Sequence, residues 1–152
     1  MILNSNNPYI PGLYTVTLRV TDGVGLWNED KIDILVLDIT RPIADAGLDL
    51  IIDEGTWVTF DGTGSRDNVG IDNYIWTFKD IGFKTLFGIQ PIYQFNNPGV
   101  FQIILNVTDA ENNWDTDAMT VTVNDITAPI ANAGPDQVVN EKEIVFFKSI
   151  PL

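Results

Sequence analysis

Three stretches of the chain alternate apolar and polar residues with a period of two, which is typical of a β-strand that buries one face. Their apolar positions are Tyr14, Val16, Leu18 and Val20, then Phe101, Ile103, Leu105 and Val107, and finally Met119, Val121 and Val123. Four shorter β-rich runs occupy residues 57–60, 74–78, 83–87 and 92–95, and clusters of Gly, Asn, Asp and Pro separate them. No stretch keeps a helical periodicity, so the pattern predicts an all-β protein.

The chain also repeats itself. At a shift of 87 residues, segments 11–60 and 98–147 align without a gap, and 21 of the 50 pairs are identical. The stretches Asp-Ile-Thr-x-Pro at 38–42 and 125–129 fall at the same point of each copy. We therefore predict one complete unit at residues 41–127, the C-terminal part of an earlier unit at residues 1–40, and the N-terminal part of a later unit at residues 128–152.

The complete unit holds about seven short strands in fewer than about 100 residues, which predicts an immunoglobulin-like antiparallel β-sandwich. Its expected core comprises Phe60, Phe101, Ile103, Leu105, Val107, Val121 and Val123, with either Trp57 or Trp76. Of these two, Trp76 lies in the strand where such sandwiches place a buried tryptophan.

Composition and charge exclude several functions. The chain has 152 residues, no Cys, no His and a formal net charge of −13. Without imidazole or thiol groups it cannot build a serine or cysteine triad or a Cys/His zinc site, and we predict a non-enzyme. The negative surface repels phosphate, which argues against a nucleic-acid partner, and no apolar run is long enough to insert into a membrane.

Several segments resemble the polycystic kidney disease (PKD) domain, a family common in archaeal and bacterial surface proteins and in secreted hydrolases. The resemblance rests on the segments 42–47 (PIADAG), 60–68 (FDGTGSRDN), 74–78 (YIWTF) and 98–109 (PGVFQIILNVTD). It departs from the family pattern at Val69, where a second turn aspartate is expected, and at 76–82 (WTFKDIG), where the family reads W-D-F-G-D-G. The resemblance implies an extracellular or cell-surface location.

A calcium site is the main candidate for chemistry. In an immunoglobulin-like sandwich, the loop after the second strand, the loop between the last two strands and the incoming linker meet at one end. These segments carry Ser65 and Glu111 together with the predicted metal ligands Asp67, Asn68, Asp109, Asp45 and Asp38. Calcium takes about six to eight oxygen ligands, and some PKD domains bind it through aspartates of these loops. The alternative is that Asp67, Asn68 and Asp109 only accept hydrogen bonds from nearby backbone.

Two tryptophans, Trp27 and Trp114, recur at the same position of the repeat. Strand parity places Trp114 on the outer face as a stacking platform. A curled loop would instead let its ring close the end of the core, and we favour this second arrangement.

Three functions remain open. The first is a structural spacer or adhesion module of a tandem-repeat surface protein, whose partners are neighbouring repeats. The second is an accessory module of a secreted hydrolase that binds polysaccharide or protein, which a cluster of exposed aromatic residues on one sheet face would favour. The third is a subunit that assembles head to tail with other copies of itself, because the two partial units are the end and the beginning of one sandwich. The competing explanation for the partial units is a truncated gene or an arbitrary boundary, and we favour it.

Overall fold

The computed structural model describes residues 10–146, which form nine β-strands joined by turns and loops. In chain order the strands are β1 (Gly12–Thr21), β2 (Trp27–Val36), β3 (Leu50–Asp53), β4 (Thr56–Thr59), β5 (Asn73–Asp80), β6 (Gly82–Phe87), β7 (Ile92–Phe95), β8 (Gly99–Thr108) and β9 (Trp114–Asn124). None of the described residues belongs to a helix that is long and apolar enough to cross a membrane. The predicted all-β fold is confirmed.

Strands β3 to β9 build a sandwich of two sheets. The larger sheet has the order β3-β9-β8-β5-β6, and the smaller one pairs β4 with β7. All pairs are antiparallel except β3 with β9, which run parallel, with Leu50 opposite Val121 and Asp53 opposite Asn124. β3 and β4 are adjacent in sequence but belong to different sheets, so the chain crosses from one layer to the other at Glu54 and Gly55.

The core lies between the two sheets and is rich in aromatic side chains. Phe60 stacks on Trp76 at 5.2 Å between ring centroids and meets Phe78 and Phe95 edge-on at 5.8 and 6.4 Å. Trp76 is fully buried, and its indole nitrogen donates to the Gly88 carbonyl oxygen at 3.1 Å. The inward positions of β8 and β9 are buried as predicted, namely Ile103, Leu105, Val107, Met119, Val121 and Val123. Phe101 is half-buried at the edge of this cluster.

The structure shows which tryptophan lies in the core and which lie on the surface. Trp76 occupies the core, whereas Trp57 lies on the outer side of β4 with 66% of its surface exposed. The arrangement that we favoured for Trp114 is wrong. β9 begins at Trp114 itself, which pairs with Thr108, so the ring follows strand parity to the outer face and is 52% exposed. The Arg41 guanidinium lies 5.9 Å from its centroid.

The segment before β3 is attached to β9 by aspartate side chains rather than by a regular backbone ladder. Asp115 and Asp117 accept the N–H groups of Ala44 and Ala46 at 3.0 and 2.8 Å, and Asp49 accepts that of Thr120 at 2.7 Å. We call these three contacts the aspartate lacing. They bring the incoming linker along the whole length of β9.

The predicted N-terminal partial unit keeps the hairpin of the complete one, whereas residues 128–146 contain no strand. β1 and β2 form an antiparallel hairpin in which Gly12 pairs with Val36 and Thr21 with Trp27. The predictions for residues 1–9 and for residues 147–152 lie outside the described residues. The predicted limits of the units, 1–40, 41–127 and 128–152, stay a prediction.

Candidate metal centre at the incoming linker

Two strand ends bring the candidate ligands together. Asp38 follows β2 in the linker, and Asp109 comes directly after β8 in the turn that leads to β9. The two residues are 71 positions apart in sequence. Both are buried, each with 3% of its surface exposed. Carboxylates are rarely this buried without compensating partners, so their surroundings decide what the site can do.

Carboxylate oxygens of Asp38, Asp109 and Glu111 lie within 4.8 Å of one another. Asn113 organises the group, because its side-chain amide donates to Asp109 Oδ2 at 2.8 Å and to the Asp38 carbonyl oxygen at 3.2 Å. The Asn113 backbone N–H donates to Asp109 Oδ1 at 2.8 Å. We call Asp38, Asp109 and Glu111 the linker carboxylate cluster.

One oxygen of this cluster has no partner. Asp38 Oδ1 accepts the Thr40 N–H at 2.9 Å and the Asn68 amide at 3.3 Å, whereas the buried Asp38 Oδ2 makes no hydrogen bond within the described residues. The one ion pair among residues 10–146 joins Arg19 and Glu29, so no Lys or Arg side chain of the described part neutralises the cluster. A buried anionic oxygen left without donor or cation is costly.

The donor set fits a hard divalent cation. All three side chains present oxygen, and a short loop and a linker can adjust to the variable coordination that calcium accepts. Three carboxylates would also offset the charge of the ion, and their mutual repulsion would be relieved by binding. The side chains that would hold calcium are therefore Asp38, Asp109 and Glu111.

Asn68 is hydrogen-bonded to the cluster, whereas the hydrogen bonds of Asp67 are to its own turn. Asn68 reaches the cluster through the hydrogen bond to Asp38. Asp67 caps its own turn, because its Oδ2 accepts the N–H groups of Val69 and Gly70, both at 2.9 Å. Burial alone would raise the pKa of Asp67, but the backbone N–H groups of Gly70, Val69 and Asn68 together hold it below the usual value. Its Oδ1 is buried and has no partner within the described residues.

The structure places Asp45 and Ser65 outside the cluster. Asp45 is exposed, accepts the Gly47 N–H at 3.0 Å and bonds through its own N–H to the Ser65 hydroxyl at 3.0 Å. A Cβ atom at Gly64 would lie 2.4 Å from Asp45 Oδ2, so a side chain there would displace the Asp45 carboxylate. Asp45 instead lines a separate open cleft of about 440 Å³ with Asp61, Thr63 and Met119.

Asn113 is a further residue of the candidate site that was not predicted from the sequence. The repeat carried a signal for it, because the equivalent loop of the first partial unit has Val24 where Glu111 stands and Leu26 where Asn113 stands. In that loop Asp22 makes the same turn, accepting the Val24 and Leu26 N–H groups at 3.0 and 2.9 Å. The turn is thus common to both copies, while the extra polar groups occur only in the complete unit.

These features define a β-sandwich module whose linker joins the fold through a carboxylate cluster. The family model of the PKD domain matches residues 39–123, and the chain belongs to this family. The Dyslexia-associated protein KIAA0319 homolog of Mus musculus is 31% identical over 150 residues, which cover 90% of this chain and 13% of that protein. The chain therefore spans only a small part of the length of this relative.

A solved structure gives an independent comparison. It concerns carbohydrate-binding modules of the β-sandwich superfamily with promiscuous specificity, and it matches with a TM-score of 0.51 and 26% identity. The match covers 59% of this chain and 37% of the other. It agrees with the sandwich fold described above.

Proposed function

We propose that this chain is a non-catalytic structural module of an extracellular tandem-repeat protein, in which calcium fixes the incoming linker to the complete sandwich. The observation that carries the proposal is the buried Asp38 Oδ2, which has no partner within the described residues and belongs to a carboxylate that clusters with those of Asp109 and Glu111. An ion at this point would connect the linker to the β8–β9 loop. It would fix the angle at which the preceding unit meets the sandwich.

Membership of the PKD domain family and the similarity to the mouse relative support a role at the cell surface or in a secreted protein. The strong negative charge suits a calcium-rich extracellular medium, where divalent ions screen the repulsion between neighbouring acidic units. The linkers are short and contain proline, which limits the freedom between units. Spacing and adhesion both require such restricted geometry.

Calcium should stabilise the complete unit. At a calcium concentration about a hundredfold above Kd, the native state gains about 2–3 kcal/mol, because the ion binds only the folded form. For a domain of this size the Tm should rise by about 10 °C relative to a sample in chelator. Thermal unfolding followed by circular dichroism measures this shift, and an unchanged Tm at millimolar calcium contradicts the proposal.

Two variants make the experiment specific. Asp38→Asn should abolish the calcium shift and be no less stable than the parent protein in chelator, because it removes an uncompensated buried charge while keeping the Oδ1 acceptor for Thr40. Asp125→Asn is the matched control, since Asp125 occupies the equivalent position of the outgoing linker and likewise caps its own turn through the Thr127 N–H. It should leave the shift intact. A shift that survives in Asp38→Asn would place the ion elsewhere.

A second candidate function is polysaccharide binding, and one feature of the larger sheet favours it. Phe83 and Phe87 project from the outer face of the edge strand β6 with 87% and 71% of their surfaces exposed. They lie opposite Lys79 and Ile75 of β5, and exposed rings on a sheet are suited to stacking on sugars. Of the six outward positions of β9, three are threonine, namely Thr116, Thr120 and Thr122.

Pull-down with insoluble polysaccharides tests this candidate. The double substitution Phe83→Ser and Phe87→Ser should reduce the bound fraction by about tenfold, because each ring that stacks contributes on the order of 1 kcal/mol. Trp57→Ser is the control, since that ring is equally exposed but lies on the other sheet. No binding by the parent protein, or an equal loss in the Trp57→Ser variant, contradicts the proposal.

A further inference from the structure

The outer face of the larger sheet carries an acceptor sequence for N-linked glycosylation. Residues 106–108 of β8 read Asn-Val-Thr, which fits the pattern N-x-[ST], and no other asparagine of the chain lies in such a triplet. The equivalent residues 19–21 of β1 read Arg-Val-Thr, so the triplet occurs in the complete unit and not in the first copy. Such triplets also arise by chance, and the surroundings of Asn106 decide what this one can do.

The Asn106 side chain points away from the core and has an available nitrogen. Its neighbours Leu105 and Val107 are fully buried, so strand parity places Asn106 on the outer face. The Thr108 hydroxyl donates to Asn106 Oδ1 at 3.2 Å. Asn106 Nδ2 makes no hydrogen bond within the described residues and is not among their buried polar atoms that lack a partner, so it is in contact with solvent. The threonine thus holds the amide oxygen and leaves the amide nitrogen accessible.

The first hairpin shows what a group at this position can reach. Arg19 is the equivalent of Asn106, and its guanidinium lies over the Trp27 ring at 4.1 Å from the ring centroid. Trp27 is the equivalent of Trp114, and in both hairpins this tryptophan pairs with the threonine of the triplet. Diagonal neighbours of this kind lie about 7–8 Å apart, within reach of long side chains. A group that extends from Asn106 as far as an arginine does would therefore reach the Trp114 ring.

A sugar linked to Asn106 Nδ2 has the length and the chemistry for this contact. Asparagine is shorter than arginine, and the first sugar ring supplies the missing length. The C–H groups of a sugar pack on the apolar face of an aromatic ring, and Trp114 is 52% exposed although the Arg41 guanidinium lies 5.9 Å from its centroid. The residues paired with Asn106, namely Ile75 on β5 and Thr116 on β9, carry no charge. An uncharged sugar is therefore compatible with each neighbouring side chain across the sheet.

The position of β8 in the sheet sets the time of modification. β8 is paired on both sides, by β5 and by β9, so in the folded protein the backbone of residues 106–108 is not available to an enzyme. β9 follows β8 in the chain, and its residues Trp114–Asn124 must be synthesised before the second pairing can form. The triplet is thus accessible during synthesis and inaccessible once the sheet has closed.

We propose that Asn106 is the attachment site of an N-linked glycan whose first sugar packs on Trp114. The inference rests on the extracellular location in the proposed function, because the transferase and its sugar donor belong to the secretory route. The donor is an oligosaccharide whose anomeric carbon bears a lipid-linked phosphate. The bond from Nδ2 to the anomeric carbon forms as the bond from that carbon to the phosphate oxygen breaks. The phosphate leaves with the electron pair of the broken bond, and Nδ2 loses one proton.

Intact-mass measurement of the full chain, secreted from a eukaryotic cell behind an added signal sequence, tests the attachment. We expect one N-linked glycan per chain, which peptide N-glycosidase removes while converting Asn106 to aspartate. Asn106→Gln and Thr108→Val should each abolish the glycan, whereas Thr108→Ser keeps the hydroxyl of the triplet and should retain it. Thr120→Val is the matched control for the loss of an outward threonine elsewhere on the sheet. A secreted parent protein without a glycan, or a glycan that persists in Asn106→Gln, overturns the proposal.

Thermal unfolding tests the packing on Trp114. The reference is the same chain made in a bacterial cytoplasm, where this modification does not occur. The glycosylated protein should unfold at a Tm about 4 °C higher, because the stacked ring stabilises only the folded state. Trimming the glycan to its first sugar should leave this gain unchanged. Trp114→Ser should remove the gain, whereas Trp57→Ser, at an exposed site on the other sheet, should keep it. No gain in the parent protein, or an equal gain in both variants, overturns the contact.

The calcium response separates this proposal from the proposed function. Asn106 is not part of the linker carboxylate cluster, so Asn106→Gln should show the same Tm shift between calcium and chelator as the parent protein. A secreted chain that responds to calcium but carries no glycan contradicts the attachment alone. A glycosylated chain that does not respond to calcium contradicts the calcium site alone.

Discussion

At the scale of the residue, the excess of aspartate over glutamate, 16 residues against 5, has a structural use. Asp61, Asp67, Asp109, Asp115 and Asp117 all accept backbone N–H groups that no strand ladder satisfies. The short side chain reaches nearby backbone without losing much rotamer freedom.

Hydrogen bonds from the Thr63 hydroxyl and N–H lower the pKa of Asp61. The stability that the Asp61 carboxylate contributes is therefore present above its usual pKa and is lost as the pH falls through the lowered value.

A strained residue lies in the β5–β6 turn. Ile81 has φ 55° and is 88% exposed. A β-branched residue is poorly suited to this left-handed region. Because the Ile81 side chain is exposed, burial of apolar surface does not offset the steric cost. It falls within the stretch 76–82, where the chain departs from the glycine-rich pattern of the family.

Ile81→Gly should stabilise the protein by about 1 kcal/mol, because glycine adopts a positive φ without the steric cost. Urea unfolding at neutral pH measures the change. The matched control is Asn112→Gly at φ 66°, where the gain should be less than half as large, since asparagine tolerates this conformation. Equal gains at both sites, or a loss at Ile81, would contradict the explanation by strain.

At the scale of the element, a buried polar network joins the β5–β6 turn to β7 and to the loop before β8. Asp80, with 4% of its surface exposed, accepts the Tyr93 hydroxyl at 2.9 Å and the Asn97 amide at 3.0 Å. Burial of the phenol, together with its hydrogen bond to the Asp80 carboxylate and the charge of that group, raises the pKa of Tyr93 to about 12. The network holds the two sheets together at the end opposite the linker carboxylate cluster.

The raised pKa of Tyr93 predicts that the protein loses stability at alkaline pH. Since the folded pKa of Tyr93 exceeds the unfolded value of about 10, its contribution is complete below about pH 10 and is lost as the pH rises through about 12. Tyr93→Phe should lower the free energy of unfolding by about 1–3 kcal/mol at neutral pH, because Asp80 loses a donor. The variant should also show a smaller fall in this free energy between about pH 10 and pH 12. Urea unfolding at a series of pH values checks this. Tyr14→Phe, at an exposed site, should keep the full pH dependence.

Strand positions could be predicted from the sequence, because a period of two is imposed locally by the pleat wherever one face is buried. For Trp114, strand parity alone predicts the outer face that the structure shows. Asn113 was missed because its role depends on Asp38, 75 positions away, and on the path of a loop. Asp45 was grouped with the cluster because its linker reaches the same end, but its side chain turns to its own backbone.

At the scale of the whole molecule, the two linkers leave the sandwich at opposite ends of β9. Each attachment uses a carboxylate, with Asp38 joined to the β8–β9 loop on one side and Glu54 holding Thr127 on the other. This arrangement suits a protein that has to reach away from a surface, as the proposed spacer function requires.

The parallel pairing of β3 with β9 has a consequence for a chain under tension. A force that pulls the two linkers apart draws β3 and β9 past each other along their common direction. All the β3–β9 backbone bonds and the aspartate lacing then carry the load together, rather than opening one after another from an end. The sandwich should accordingly resist extension most strongly along the axis on which its neighbours are attached, so that each unit works as a mechanical link.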